Sequence, residues 1–135
     1  MVIEVASGVL QTMRVQAEQA APLECCGLLF GRFTDRGARI DRAVAAPNVA
    51  DDPARRFEID PAALLAAHKA ARAGGPDVVG YYHSHPVGGT APSATDRAMA
   101  AGDGRVWAII GQGRIAFWRD GPHGFAALGS PGPAR

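Results

Sequence analysis

Apolar and polar positions along the chain repeat with two different periods, and the switches between them divide it into alternating elements. "VIEVA" (Val2–Ala6) alternates as a short strand. Val9, Met13, Ala17 and Ala20 then recur at helical spacing, with Ser7 at the capping position and Pro22 just past the end. "CGLLFGRFT" (Cys26–Thr34) is apolar over the length of a strand, and "DRG" turns it into "ARIDRAVAA" (Ala38–Ala46) as a hairpin. A polar loop from Pro47 to Arg56 leads to "FEI" (Phe57–Ile59), read as a short strand. Asp60 caps and Pro61 opens an alanine-rich helix that stops at Gly74–Gly75.

The second half repeats the alternation. "DVVGYYHSH" (Asp77–His85) is rich in β-branched and aromatic residues and predicts a strand. After the loop "PVGGTAP", Ser93 opens a helix, "SATDRAMAA", ending near Gly102. "RVWAIIG" (Arg105–Gly111) and "RIAFWRD" (Arg114–Asp120) form another hairpin, and "GFAAL" adds an edge strand. Strands in hairpins mixed with three helices predict an α/β fold: a mixed, mostly antiparallel sheet with helices packed against it. Neither a repeat nor an interdomain linker interrupts the pattern, so residues 1–129 are expected as one domain and 130–135 as a flexible tail.

Composition narrows the function more than the fold. The 135 residues match the commonest domain size, and 47% are hydrophobic, which argues against disorder. The net charge of +1 without blocks of like charge gives no support for a nucleic-acid or membrane-surface role. Cys25 and Cys26 are sequence neighbours that point to opposite sides of an extended chain, which disfavours a disulfide between them. Two free thiols suit a reducing compartment, and no apolar stretch approaches a membrane span, so a cytoplasmic location is expected.

The densest chemistry lies in "GYYHSHPVGGTAPSATD" (Gly80–Asp96). On a strand, residues two apart face the same side about 6.5–7 Å apart, so His83 and His85 project together while Ser84 points away. Pro86 stops the strand and Gly88–Gly89 let the backbone reverse. Ser93 and Asp96 then occupy the first turn of a helix, where Ser-x-x-Asp also reads as a capping box. Two histidines and a carboxylate leave one tetrahedral position for water, the pattern of a catalytic zinc site. The same set is compatible with non-haem iron(II).

His83-Ser84-His85-Pro86, seven residues from Pro86 to Pro92, and then Ser93-Ala94-Thr95-Asp96 resemble the JAMM motif of the MPN-domain metalloproteases. The upstream glutamate of that family is matched by Glu24 in "LECCGLLFG". "RFEIDP" and "SATDRAMA" are further similar to stand-alone bacterial members. The resemblance implies one Zn2+ held by His83, His85 and Asp96, with Glu24 as general base and Ser93 as oxyanion donor. It also implies a substrate, namely an amide or isopeptide bond after the C-terminal glycine of a ubiquitin-like or sulfur-carrier protein ending in Gly-Gly. The alternative is a metal-free MPN scaffold that only binds partners. Oligomeric state has no signature in the sequence.

Other residues carry blander readings. Cys25 and Cys26 are expected as small core residues, at least one facing inward. His68 reads as packed or half-exposed on its helix, and His123 as a turn residue. Trp107 and Trp118 read as strand packing. Arg55 and Arg56 read as solvated loop residues.

Overall fold

The computed structural model describes residues 1–134. Its strands are β1 (Val2–Val5), β2 (Cys26–Phe33), β3 (Gly37–Ala46), β4 (Asp77–Ser84), β5 (Val106–Gly111), β6 (Arg114–Gly121), β7 (Gly124–Ala127) and β8 (Gly132–Pro133). The helices are α1 (Val9–Ala20), α2 (Pro61–Arg72) and α3 (Ala94–Met99). All strands join one sheet in the order β7-β6-β5-β4-β2-β3-β1-β8. The hairpin pairs β2–β3, β5–β6 and β6–β7 are antiparallel, as is β2–β4, whereas β1–β3, β1–β8 and β4–β5 run parallel. The expected α/β fold with a mixed sheet and three helices is the fold observed.

The sheet is buried on both faces, which explains why its central strands read as continuous apolar runs. One cluster gathers Ile3, Met13, Leu29, Ile40, Val79 and Tyr82. The other gathers Cys26, Leu28, Phe57, Ala67, Val78 and Trp107. Successive residues such as Leu28 and Leu29 therefore serve opposite sides, as strand geometry requires.

Strand β4 departs from simple alternation. Leu29 pairs with Gly80 but Phe30 pairs with Val78, so Val79 is an extra residue in the ladder. This bulge resets the phase and places Tyr82 and Ser84 on one side, Tyr81 and His83 on the other. Gly80 is required beside it, because a Cβ there would collide with the Val106 carbonyl of the parallel neighbour β5.

Four local expectations are altered. Ser7 does not cap α1; the N-cap is Gly8 at φ 86°, a left-handed conformation that glycine adopts without strain. "FEI" contributes only an isolated bridge, Ile59 to Asn48. Helix α3 stops at Met99, because the buried Asp120 carboxylate takes the Ala101 and Gly102 amides at 3.0 and 3.1 Å. Within the segment expected as a tail, β8 pairs with β1 and the Ala134 amide donates to the Val5 carbonyl at 2.9 Å, covering backbone groups of an edge strand.

Gly80→Ala tests the close approach of β4 and β5. It should cost about 1–3 kcal/mol through overpacking, seen as a lower urea midpoint with unchanged slope. A midpoint equal to wild type would show that the strands can separate freely.

Candidate active site

Pairing between β2 and β4 assembles the site. Cys26 lies opposite His83. One step further, Ser84 donates its amide to the Cys25 carbonyl at 3.1 Å, and its hydroxyl accepts the Cys25 amide at 2.8 Å. Continuing that antiparallel register one more residue sets Glu24 across from His85. The main chain of Glu24 is also held from outside the sheet, since its amide donates to Pro53 O at 2.8 Å and its carbonyl accepts from Asn48 Nδ2 at 3.1 Å.

His83, at the end of β4, is fully buried. Its ring stacks on Phe57 with centroids 4.2 Å apart and meets the edge of Trp107 at 5.7 Å. Packing sets this ring's orientation, because its Nδ1 is buried without a hydrogen-bond partner. His85 is fixed differently. Its Nδ1 donates to the Gly89 carbonyl at 2.9 Å, which leaves Nε2 as the atom with a lone pair facing the site. Gly89 is seated against β5 at Gly111, where any side chain would press on that same carbonyl.

Asp96 arrives from α3. The capping box foreseen at its start is formed, with Ser93 Oγ accepting the Asp96 amide at 3.0 Å and Asp96 Oδ2 accepting the Ser93 amide at 2.9 Å. Bending back to cap the helix aims the carboxylate at the histidines. His83 Nε2 and His85 Nε2 each lie 3.1 Å from Asp96 carboxylate oxygen, and 3.2 Å from one another. Local helix chemistry and site assembly therefore use the same side chain.

That triangle fits a metal ion. Ligands bonded at 2.0–2.1 Å to a tetrahedral centre stand about 3.3 Å apart, close to the spacing found here. The donors are two imidazoles and a carboxylate, a set suited to zinc. Glu24 borders the same space; it is buried, and its Oε1 has no hydrogen-bond partner. A buried polar atom without a partner is costly unless something else occupies the site. Glu24, His85 and Ser93 line one cleft of about 630 Å³ together with Arg55, Gly88 and Gly89.

Electrostatics separate the groups. Burial pushes the Glu24 carboxyl up to about 7, against a downward pull from His85 and with a further upward push from Asp96. Burial also works to raise Asp96, but hydrogen bonds to His83 and His85 overcome it and hold this carboxyl well below the usual range. Burial lowers His83 despite Asp96, whereas the hydrogen bond to Asp96 raises His85. One carboxyl is thus poised to exchange a proton near neutrality and the other stays ionised.

The structure brings together all five residues singled out from the sequence: Glu24, His83, His85, Ser93 and Asp96. The blander readings also find their places. Cys26 is buried, its thiol pushed up to about 12 by burial, and Cys25 is half-buried. His68 is half-exposed and His123 lies in the exposed turn between β6 and β7. Trp107 is buried, and Trp118 ties β6 to the cleft loop by donating to the Thr90 carbonyl at 2.9 Å. Arg55 lies 4.0 Å from Asp52 at the cleft, and Arg56 pairs with Asp51. Sequence reasoning missed Phe57 and Asn48, which sit in the polar loop and its short continuation. The adjacency of "PN" to a strand end was the available signal, since asparagine there commonly bonds nearby backbone.

A sheet of this order, with two histidines at the end of β4 facing an aspartate on α3, is that of the MPN class. Residues 6–121 match the family described as prokaryotic homologs of the JAB domain, and the chain belongs to that family. It is 39% identical over 102 residues to a desampylase of Haloferax volcanii, covering 75% of this chain and 71% of that one. It is 36% identical over 96 residues to a probable TtuB-protein conjugate cleaving protease of Thermus thermophilus, covering 71% of this chain and 62% of that one. Among solved structures, a protein of Desulfitobacterium hafniense superposes with a TM-score of 0.82 at 28% identity, over 94% of this chain and 90% of that one. A JAB1/MPN domain protein of Archaeoglobus fulgidus shares the fold at a TM-score of 0.63 and 21% identity, over 97% and 99% of the two chains. With that family and such relatives, the chain is a hydrolytic enzyme.

The raised Glu24 sets a pH-dependent stability. Its proton is held more tightly in the folded protein, at about 7, than at the ordinary glutamate value of 4.5, so the metal-free protein loses stability as pH rises between those values. In chelator, Glu24→Gln should be more stable than wild type at pH 8, by at most about 3 kcal/mol, with the gain gone at pH 4. Urea melts at the two pH values check this. A difference independent of pH would show that Glu24 is not raised.

Proposed function

We propose that the protein is a zinc-dependent peptidase that hydrolyses the amide or isopeptide bond after the C-terminal glycine of a ubiquitin-like or sulfur-carrier protein. The observation carrying this reading is the convergence of His83, His85 and Asp96 at 3.1–3.2 Å beside an unpartnered, buried Glu24. Zinc held by His83, His85 and Asp96 would act as a Lewis acid and bring water towards hydroxide near neutral pH.

The chain's own groups supply the remaining steps. Glu24 takes a proton from the attacking water and passes it to the leaving amine, so that one amide and one water become a carboxylic acid and an amine, which part as carboxylate and ammonium. Its pKa of about 7 suits both halves of that exchange. The Ser93 hydroxyl accepts the Asp96 amide and keeps its own hydrogen free to donate to the oxyanion. Asp96 stays ionised and orients the imidazoles; Gly89 O keeps His85 in the tautomer that offers Nε2.

The partner reading draws on chemistry and on relatives. Gly88, Gly89, Ala54 and Ala91 contribute little side-chain bulk to the cleft, which suits an extended glycine tail. Two relatives are named a desampylase and a probable TtuB-protein conjugate cleaving protease, and a protein conjugate is the substrate proposed here. No helix among the described residues is long and apolar enough to cross a membrane, and a cytoplasmic location is proposed with the reducing compartment that two free thiols favour. A scaffold without metal is the competing reading, which a complete ligand set disfavours.

Carrier–Gly-Gly–amino-acid conjugates incubated with zinc-loaded protein should release the amino acid, stop in chelator and resume on adding zinc. Glu24→Gln should keep zinc and fold while turnover drops about 10²–10⁴-fold. No release across a panel of carriers would remove this substrate class. Failure to bind zinc would favour the scaffold.

A further inference from the structure

Glu24 is unusual among the site residues in how it is held. His85 has a carbonyl behind it, Asp96 has a helix amide, and His83 has an aromatic stack. Oε1 of Glu24 has no such partner. The position of its side chain is therefore inherited from its backbone, and both backbone groups are claimed by the strap running from Pro47 to Asp60.

Asn48 is the centre of that strap. Its Nδ2 donates to Glu24 O and to Arg56 O, both at 3.1 Å. Its Oδ1 accepts the Ala50 amide at 3.1 Å and the Glu58 amide at 3.0 Å. Two carbonyls on one side and two amides on the other fix which end is oxygen and which is nitrogen. The full bonding capacity of the carboxamide is used. Val49 adds its amide to Glu58 O at 2.9 Å, and Asp60 adds its amide to Pro47 O at 3.1 Å, closing the strap at its base.

The closed strap places other parts of the site. Phe57, which follows Arg56 and precedes Glu58, is the ring on which His83 stacks. Ala54 and Arg55 form one wall of the cleft. We infer that Asn48 is a positioning residue for Glu24, its carboxamide joining the base's main chain to the strap that walls the cleft. The inference rests on the reading of Glu24 as base. Asn48 bonds to none of His83, His85 or Asp96 and reaches His83 only through the packing of Phe57, whereas it bonds the main chain of Glu24 directly.

Asn48→Asp is the sharpest variant. It has nearly the same shape and still accepts from Ala50 and Glu58, but it has no hydrogens for Glu24 O and Arg56 O. With a ubiquitin-like carrier joined through Gly-Gly to a fluorogenic amine, kcat per bound zinc should fall about 10–100-fold, since a small misplacement of a reacting group has that effect. KM should stay within about threefold and zinc content should equal wild type, because the cleft and ligands are retained. Asn48→Ala should behave alike. A residue needed only for folding would lower the melting temperature yet leave kcat of the folded enzyme intact, and that result overturns the inference. So does a loss confined to KM or to zinc content. Should both variants fail to fold, hydrogen exchange on the wild type decides: the Ala50 and Glu58 amides should be as protected as strand amides, and rapid exchange would refute the role. An inactive Glu24→Gln with an unimpaired Asn48→Asp would sink this inference alone, whereas an active Glu24→Gln would sink the reading of the base.

Discussion

The antiparallel pairing of β2 with β4 is the constraint on which the site depends. With Cys26 opposite His83, the chain that leaves β4 carries His85 towards the chain that enters β2 carrying Glu24. A slip of one residue would send every side chain of one strand to the other face. The register is held from both sides, by the apolar residues that alternate between the two clusters and by the pair of hydrogen bonds between Cys25 and Ser84. Ser84 thereby locks the alignment of Glu24 with His85.

Around this pairing, each group in the site is held by a different kind of force. Packing holds His83, a carbonyl holds His85, a helix cap holds Asp96 and a strap holds the backbone of Glu24. This division keeps the cost of burying polar groups local. Asp96 is stabilised by hydrogen bonds and stays charged, while Glu24 lacks them and titrates near neutrality. Two carboxyls a short distance apart are driven to opposite behaviours by their surroundings, which is what separate ligand and acid–base roles demand.

The JAB family accounts for the fold and for the hydrolytic chemistry. The cleft is lined mostly by the segment between β4 and α3, and the strap from Pro47 to Asp60 adds Ala54 and Arg55 to its wall. A single asparagine organises that strap. Its carboxamide does so with four hydrogen bonds to backbone groups of Glu24, Ala50, Arg56 and Glu58.

By itself the sequence determined much of this. Hydrophobic periodicity outlined the strands and helices, strand geometry put His83 and His85 on one side, and Ser93-x-x-Asp96 declared a helix cap. These features are local, set by residues within a turn or two of each other. The tertiary structure decided the rest. Glu24 is marked in the sequence only by its family resemblance, and it becomes buried where the pairing of β2 with β4 and the strap enclose it. The bulge at Val79, the stack of Phe57 on His83 and the bonds of Asn48 join segments far apart in the chain. No periodicity records such contacts, because they depend on which surfaces meet once the sheet has closed.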